Sequence, residues 1–312
     1  MITTPVLSRV RPAHRLLLLV GLLLLVLTQL VLSLAGRSAT TAEAAVSSSD
    51  LTAASVPSGA KVVTASFNAQ KVGRETPKAF IKELGVETNR STSQYDDMSI
   101  IKSGGGKALR TRLDKGTIRD NPGGNHGAVL VAKLPRSYDK ACISYRVRFS
   151  SNFDWSLGGK LPGLMGVAPG VDPGTPTGGG SVEYGWSGRV MWLGPKAYSW
   201  AGPNNMGVTY LYHPGQADKW GDNVRWNKPF VAGQWHKVQM CYAMNTVGSA
   251  NGKLAVWFDG TQVRNDTNVV YRKHSNVHIT HLDWSIFRGG GDLSWAGKST
   301  NTIDLDSLIV YA

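Results

Sequence analysis

Lys160, Ser187, Arg189, Tyr210 and Tyr212 are the residues whose types and spacing could do chemistry. Ser187 and Arg189 are two apart, as are Tyr210 and Tyr212, and on a strand that spacing points both members of a pair to one face. If both strands belong to one sheet, cations, a hydroxyl and two phenols can converge on its surface. Such a set suits extraction of a proton beside a carboxylate. The C5 proton of a uronic acid is poorly acidic until the neighbouring carboxylate is neutralised and the developing dianion is stabilised, which a fixed Arg or Lys does. A tyrosine, whose ordinary pKa is about 10, serves as base if cations favour its phenolate, and a second phenol can protonate the departing O4. Each pair taken singly is ordinary, since Tyr favours strands and an Arg at every other position is often a solvated face. Their clustering with Lys160 is what carries the reading.

The carboxylates point the same way. Beyond Glu87 the only glutamate is Glu183, so the glutamate pair used by many sugar hydrolases is lacking. Glu183 with Asp154 is the nearest pairing, and its spacing matches no hydrolase pattern. Elimination is therefore expected in preference to attack by water. Trp192 and Trp200, with Trp186 and Trp220 nearby, offer faces that can stack on sugar rings. His126 and His213 are further candidates for substrate contact or for a rival base. A non-catalytic module that binds an acidic glycan is the alternative; it needs the aromatics and the basic face but not Tyr-x-Tyr beside a lysine.

The elements that must position these residues are short alternating strands separated by Gly, Asn, Asp and Pro turns. Strands are predicted at Val129–Lys133, Ile143–Phe149, Arg189–Trp192, Val208–Tyr212, His236–Met244, Leu254–Phe258 and Ile303–Val310. Asn251-Gly252 and Asp259-Gly260 read as tight turns around one of them. Between Asn276 and Phe287 the apolar phase slips by one near Thr280-His281, which predicts a bulge. Only Pro77–Gly85 hints at a helix. The pattern predicts an all-β fold of two packed antiparallel sheets, a jelly roll or concanavalin A-like sandwich. Glycine tracts at Gly104–Gly106, Gly178–Gly180 and Gly289–Gly291 are expected as loops at its ends or beside a cleft.

Arg9, Arg11 and Arg15 precede an apolar run from Leu16 to about Leu34, and Ala42-Glu43-Ala44 has the form of a signal-peptidase site. Residues 1–44 are therefore expected to be a cleaved signal peptide, with an uncleaved anchor as the alternative. Residues 45–60 read as a linker and 61–312 as one domain. The chain carries a formal net charge of +13; losing residues 1–44 removes four Arg and one Glu and leaves +10. No Lys/Arg-rich block is present, so an acidic polysaccharide outside the cell ranks above nucleic acid as partner. A secreted monomer, free of the membrane once the signal is removed, is the expected state. Cys142 and Cys241 fall on the polar sides of their strands, where an unpaired thiol gains little from burial, and a disulfide between neighbouring strands is expected in an oxidising compartment. No metal motif is present, although Asp304 and Asp306 could hold a structural cation such as calcium.

At the chemical residues the chain resembles polysaccharide lyase family fourteen. The resemblance rests on Phe153-Asp154-Trp155, Gly158-Gly159-Lys160-Leu161-Pro162-Gly163-Leu164, Ser187-x-Arg189 before Met191-Trp192, and Tyr210-x-Tyr212. It continues through Gly233-Gln234-Trp235-His236, Val256-Trp257-Phe258-Asp259-Gly260 and Phe287-Arg288-Gly289-Gly290, covering about residues 100 to 312. The glucuronan lyases of family twenty share much of the pattern. The resemblance implies a β-jelly-roll endolyase without redox or organic cofactor. It also implies an active site made of Lys160, Ser187, Arg189, Tyr210 and Tyr212: Arg189 and Lys160 neutralise the carboxylate, the tyrosines share base and acid work, and Ser187 orients substrate or a phenol. The connection from Arg189 to Tyr210 is longer than the family's usual one, which keeps Tyr198 and Tyr184 as rival phenols.

Overall fold

The computed structural model describes residues 60–74, 80, 82, 84, 87–91, 98–119 and 126–312, all within one compact unit, Ser48–Ala312. The leader and nearly all of the linker lie outside the described residues. Of the short helix expected at 77–85, Phe80, Lys82 and Leu84 are described and all three are helical.

The strands in chain order are β1 (Lys61–Ala65), β2 (Gly73–Arg74), β3 (Glu87–Ser91), β4 (Met98–Ser103), β5 (Gly106–Leu113), β6 (Ala128–Tyr138), β7 (Lys140–Phe149) and β8 (Gly158–Val167). There follow β9 (Gly185–Leu193), β10 (Met206–Tyr212), β11 (Asp222–Arg225), β12 (Trp235–Ala243), β13 (Gly252–Phe258), β14 (Thr261–Val269), β15 (Ile279–Arg288) and β16 (Asn301–Tyr311). They form two antiparallel sheets. One runs β14-β13-β12-β7-β16-β5-β4-β2, with β1 also on β16; the other runs β11-β10-β9-β8-β15-β6-β3. This is the all-β sandwich that the alternating pattern predicts.

The core lies between the sheets, and strand alternation fills it. Trp186, Val190 and Trp192 of β9 meet Val238, Met240 and Tyr242 of β12 in one buried cluster. Phe149 anchors one end, with ring centroids of Phe153 and Trp155 each 4.7 Å away, Phe230 at 5.1 Å and Trp192 at 5.4 Å. Burying each such ring contributes roughly 1.5–3 kcal/mol. Tyr145 of β7 crosses the core to donate to the Pro162 carbonyl of β8 at 3.1 Å.

Asp259 and Gly260 both have positive φ, 50° and 79°, the conformation a two-residue hairpin turn demands. Gly252, by contrast, already pairs with Val269, so the turn before β13 falls earlier, at residues 246–250. The register shift between Ile279 and His281 is the bulge that the slipped phase announced.

Cys142 and Cys241 stand directly opposite on β7 and β12 and are disulfide-bonded. They lie on the outer face of their sheet but not in solvent: Trp257, Ala243 and Ala255 cover them, with Tyr311 alongside. The same outer face disposes of the candidate cation site. Asp304 accepts two hydrogen bonds from Arg110, at 2.7 and 2.9 Å, and two from Arg148, at 2.8 and 3.2 Å, while Asp306 pairs with Arg146 at 3.9 Å. Guanidinium groups, neither a metal ion nor solvent alone, partner these carboxylates.

Candidate active site

The outer face of the second sheet gathers the candidate residues. On β9 the alternation that sends Trp186 and Trp192 inward sends Ser187, Arg189 and Met191 outward. On β10 it sends Leu211 inward and Tyr210 and Tyr212 outward. Strand pairing aligns them: Arg189 opposes Tyr210 and Ser187 opposes Tyr212 across β9–β10, and Lys160 opposes Met191 across β8–β9. All ten residues of β8 and all nine of β9 are buried, so this face is roofed by loops except at one cleft.

That cleft has a volume of about 520 Å³, and Lys160, Arg189, Tyr210 and Tyr212 form part of its lining. One wall is Gly178, Asp218 and Trp220; the other is Gly289–Asp292 with Trp295. Trp220 is 44% exposed, which leaves it available at the rim. Of the three glycine tracts, Gly289–Gly291 lines the cleft throughout and Gly178–Gly180 through Gly178, while Gly104–Gly106 does not reach it.

Lys160 is 7% exposed. Its Nζ donates to the Gly289 carbonyl at 2.9 Å and lies 4.7 Å from the Tyr210 ring centroid. Burial foremost, then the charges of Arg189 and Arg119, hold its pKa well below the usual lysine range. Arg119, a second guanidinium in the lining, stands over the Phe287 ring at 5.6 Å; no motif in the sequence marks it. The Tyr210 and Tyr212 hydroxyls are 3.3 Å apart. Burial, then the hydrogen bond with Tyr212, pushes the Tyr210 pKa up, and Arg189 only partly opposes this. Tyr212 also accepts from the Gly179 backbone N–H at 3.0 Å.

Arg189 is 4% exposed, and its Nε lies 3.4 Å from Oδ2 of Asp283 on β15. Asp283 is another residue that the sequence does not announce, because it sits in a strand read only for its apolar phase. Its Oδ1 accepts from Ser285. The Arg189–Asp283 contact is an ion pair and not a hydrogen bond: Arg189 Nε is buried without a hydrogen-bond partner among the described residues.

Five expected site residues stand outside the cleft lining. Ser187 lies in the sheet face as expected, but it is wholly buried and its hydroxyl donates to the Pro176 carbonyl at 2.7 Å. It therefore tethers the 172–180 loop, whose Gly179 reaches Tyr212, and does not meet a ligand. Trp192 points into the core with no exposure, and its indole N–H donates to the Trp155 carbonyl at 3.2 Å; it cannot stack on a sugar. Trp200 is stacked on Tyr198, carries the Arg225 guanidinium 4.5 Å over its ring and does not line the cleft. His213 is held by Asp222 at 3.0 Å and the Val270 carbonyl at 3.2 Å and does not line the cleft. His126 is buried just before β6, also outside the lining. Of the rival phenols, Tyr198 does line the cleft, whereas Tyr184 is 51% exposed and stacks on His274.

With cations and phenols gathered in the cleft of a β-sandwich, the protein is a polysaccharide lyase. The chain belongs to the polysaccharide lyase 14 family, whose profile matches residues 102–307. Among solved structures it is similar to a marine PL-14 alginate lyase from Aplysia kurodai, with TM-score 0.68 and 22% identity over 81% of this chain and 100% of that one. The alginate lyase Aly36B superposes with TM-score 0.65 and 22% identity over 80% and 96% of the two chains. The alginate lyase vAL-1 from Chlorella virus does so with TM-score 0.59 and 16% identity over 77% and 99%. At such identities the likeness is one of fold. No curated protein matches the sequence.

Proposed function

We propose that this enzyme is an exported lyase that cleaves a uronic-acid polymer, alginate or a glucuronan-like chain, by β-elimination. The observation that carries the reading is the meeting of Lys160, Arg189, Tyr210 and Tyr212 in one cleft. Membership of the polysaccharide lyase 14 family supports it. So does the complex of an Aly36B double mutant with an alginate tetrasaccharide, which concerns that protein. Export rests on the leader pattern of residues 1–44.

The geometry suggests a division of labour. Arg189, with Arg119 beside it, neutralises the C6 carboxylate, since a guanidinium keeps its charge at any working pH. Lys160 is better suited to accept a proton than to act as a fixed cation, because burial and two guanidiniums favour its neutral amine. Tyr210, held protonated by burial, donates. In the step itself the C5 proton passes to the Lys160 amine and the C5–H electron pair becomes the C4–C5 double bond. The C4–O4 bond breaks, and O4 takes the Tyr210 proton. Tyr212 holds the Tyr210 hydroxyl in place.

The test is a panel of uronic-acid polymers followed by near-ultraviolet absorbance of the unsaturated product. One polymer should yield the signal, and Arg189→Ala should abolish it with the fold intact by circular dichroism. No absorbing product from any polymer would overturn the reading, and full activity in the Arg189 variant would overturn the site.

A further inference from the structure

Arg189 and Asp283 are on strands that do not touch. In the second sheet β8 runs between β9 and β15, and the residue of β8 directly between them is Gly163, which pairs with Arg189 on one side and with Asp283 on the other. A Cβ at Gly163 would meet the Gly188 carbonyl oxygen at 2.0 Å and the Arg189 Cα at 2.6 Å. The bare glycine thus lets β9 pack close, and the guanidinium and carboxylate meet over the intervening strand at 3.4 Å. Both partners are nearly inaccessible, at 4% and 2% exposure. A buried charge of either sign is costly unless paired, so each requires the other.

We propose that Asp283 is the positioning residue of the site: through Gly163 it fixes the Arg189 guanidinium at the cleft floor and offsets its charge beside Lys160. The inference rests on the lyase reading of the cleft and deepens it. Ser285 donates to Asp283 and orients it. Lys160 is faced by Arg189 from β9, Tyr210 from β10, Phe287 and the Gly289 carbonyl at the end of β15, and by Arg119 and Trp295 beyond them. Tyr198 and two carboxylates, Asp218 and Asp292, also line the cleft, and Asp283 is the carboxylate in contact with Arg189. Without it, the uncompensated guanidinium repels the protonated form of Lys160 more strongly, so the amine loses its proton at lower pH.

The experiment compares wild type, Asp283→Asn and the double variant Arg189→Gln/Asp283→Asn. The pH dependence of Lys160 labelling by an amine-reactive reagent is read by peptide mass spectrometry, alongside thermal melts and kcat/KM against pH. In Asp283→Asn, Lys160 should become reactive at lower pH, and the acid limb of activity should move the same way. At the wild-type optimum kcat/KM should fall at least about tenfold. The double variant should regain the Tm that the single variant loses, because it removes the orphaned charge. Coincident labelling curves for wild type and Asp283→Asn would overturn the inference. Should the single variant fail to fold, a double variant that also fails would overturn it, and one that folds would uphold it. Labelling and melting need no turnover, so a shifted Lys160 in a protein that cleaves no polymer would leave the ion pair standing while the lyase reading fell.

Discussion

The Tyr210 and Tyr212 hydroxyls lie 3.3 Å apart, yet only the Tyr212 oxygen also receives a backbone N–H, from Gly179 at 3.0 Å. Tyr212 is thereby anchored to a loop, while Tyr210 has Lys160 against its ring. The two phenols stand in different positions: one holds, the other is presented to the cleft.

Tyr210→Phe is accordingly expected to lower kcat by about 10²–10⁴-fold, the range for loss of a positioned acid. Tyr212→Phe leaves the Tyr210 hydroxyl in place without its partner and should cost less, on the order of tenfold. Steady-state absorbance kinetics on one polymer separates them; equal losses would show that both phenols transfer protons.

The pH profile follows from two opposite displacements. On the proposed division of labour Lys160 acts as the neutral amine and Tyr210 in its protonated form; the Lys160 pKa lies below the ordinary lysine value, so activity should fall as pH drops through that lowered pKa. Tyr210 works protonated, and its pKa is raised, so activity persists above pH ~10, where an ordinary phenol ionises. Arg119→Gln removes one repulsive charge from Lys160 and should move the acid limb to higher pH.

Lys160→Met should abolish turnover and stabilise the fold. The folded protein disfavours protonated Lys160, so the wild-type cost is full below the folded-state pKa and vanishes as pH rises to the unfolded value near 10.5. The gain in Tm should therefore be a few degrees at neutral pH and shrink in alkaline buffer. Melts at two pH values test this.

Ser187→Ala removes the tether to Pro176 without touching the cleft lining. A net hydrogen bond is worth about 1 kcal/mol, so stability should drop modestly and kcat by no more than about tenfold as Tyr212 loosens. A loss as large as that of Arg189→Ala would place Ser187 on the substrate.

The two tryptophans should behave in opposite ways. Trp192→Ala opens a cavity beside Phe149 and should cost about 3–5 kcal/mol in urea melts. Trp220→Ala should leave the melt unchanged and raise KM for polymer, since its ring is at the rim.

Much of this was legible in the residue order. Period-two alternation is a local property, so the Ser187/Arg189 and Tyr210/Tyr212 faces, the paired sheets and the bulge near Thr280 could all be read along the chain. The strand β8 could not: Gly158, Gly159, Pro162, Gly163 and Gly166 argue against a strand on propensity, and only packing explains them, as where Gly163 lies under Arg189. Trp192 was legible too: three residues from Arg189 on one strand, it must face the other way, and the alternation that put Arg189 in the cleft put Trp192 beneath it. Arg119 and Asp283 escaped notice because their partners stand 41 and more residues away along the chain and meet them only across folded strands. Residue type and spacing alone determined which groups could act together. Which of them face the cleft, and which carry a charge there, was decided by burial and by neighbours on other strands, quantities that exist only once the sheets have closed on one another.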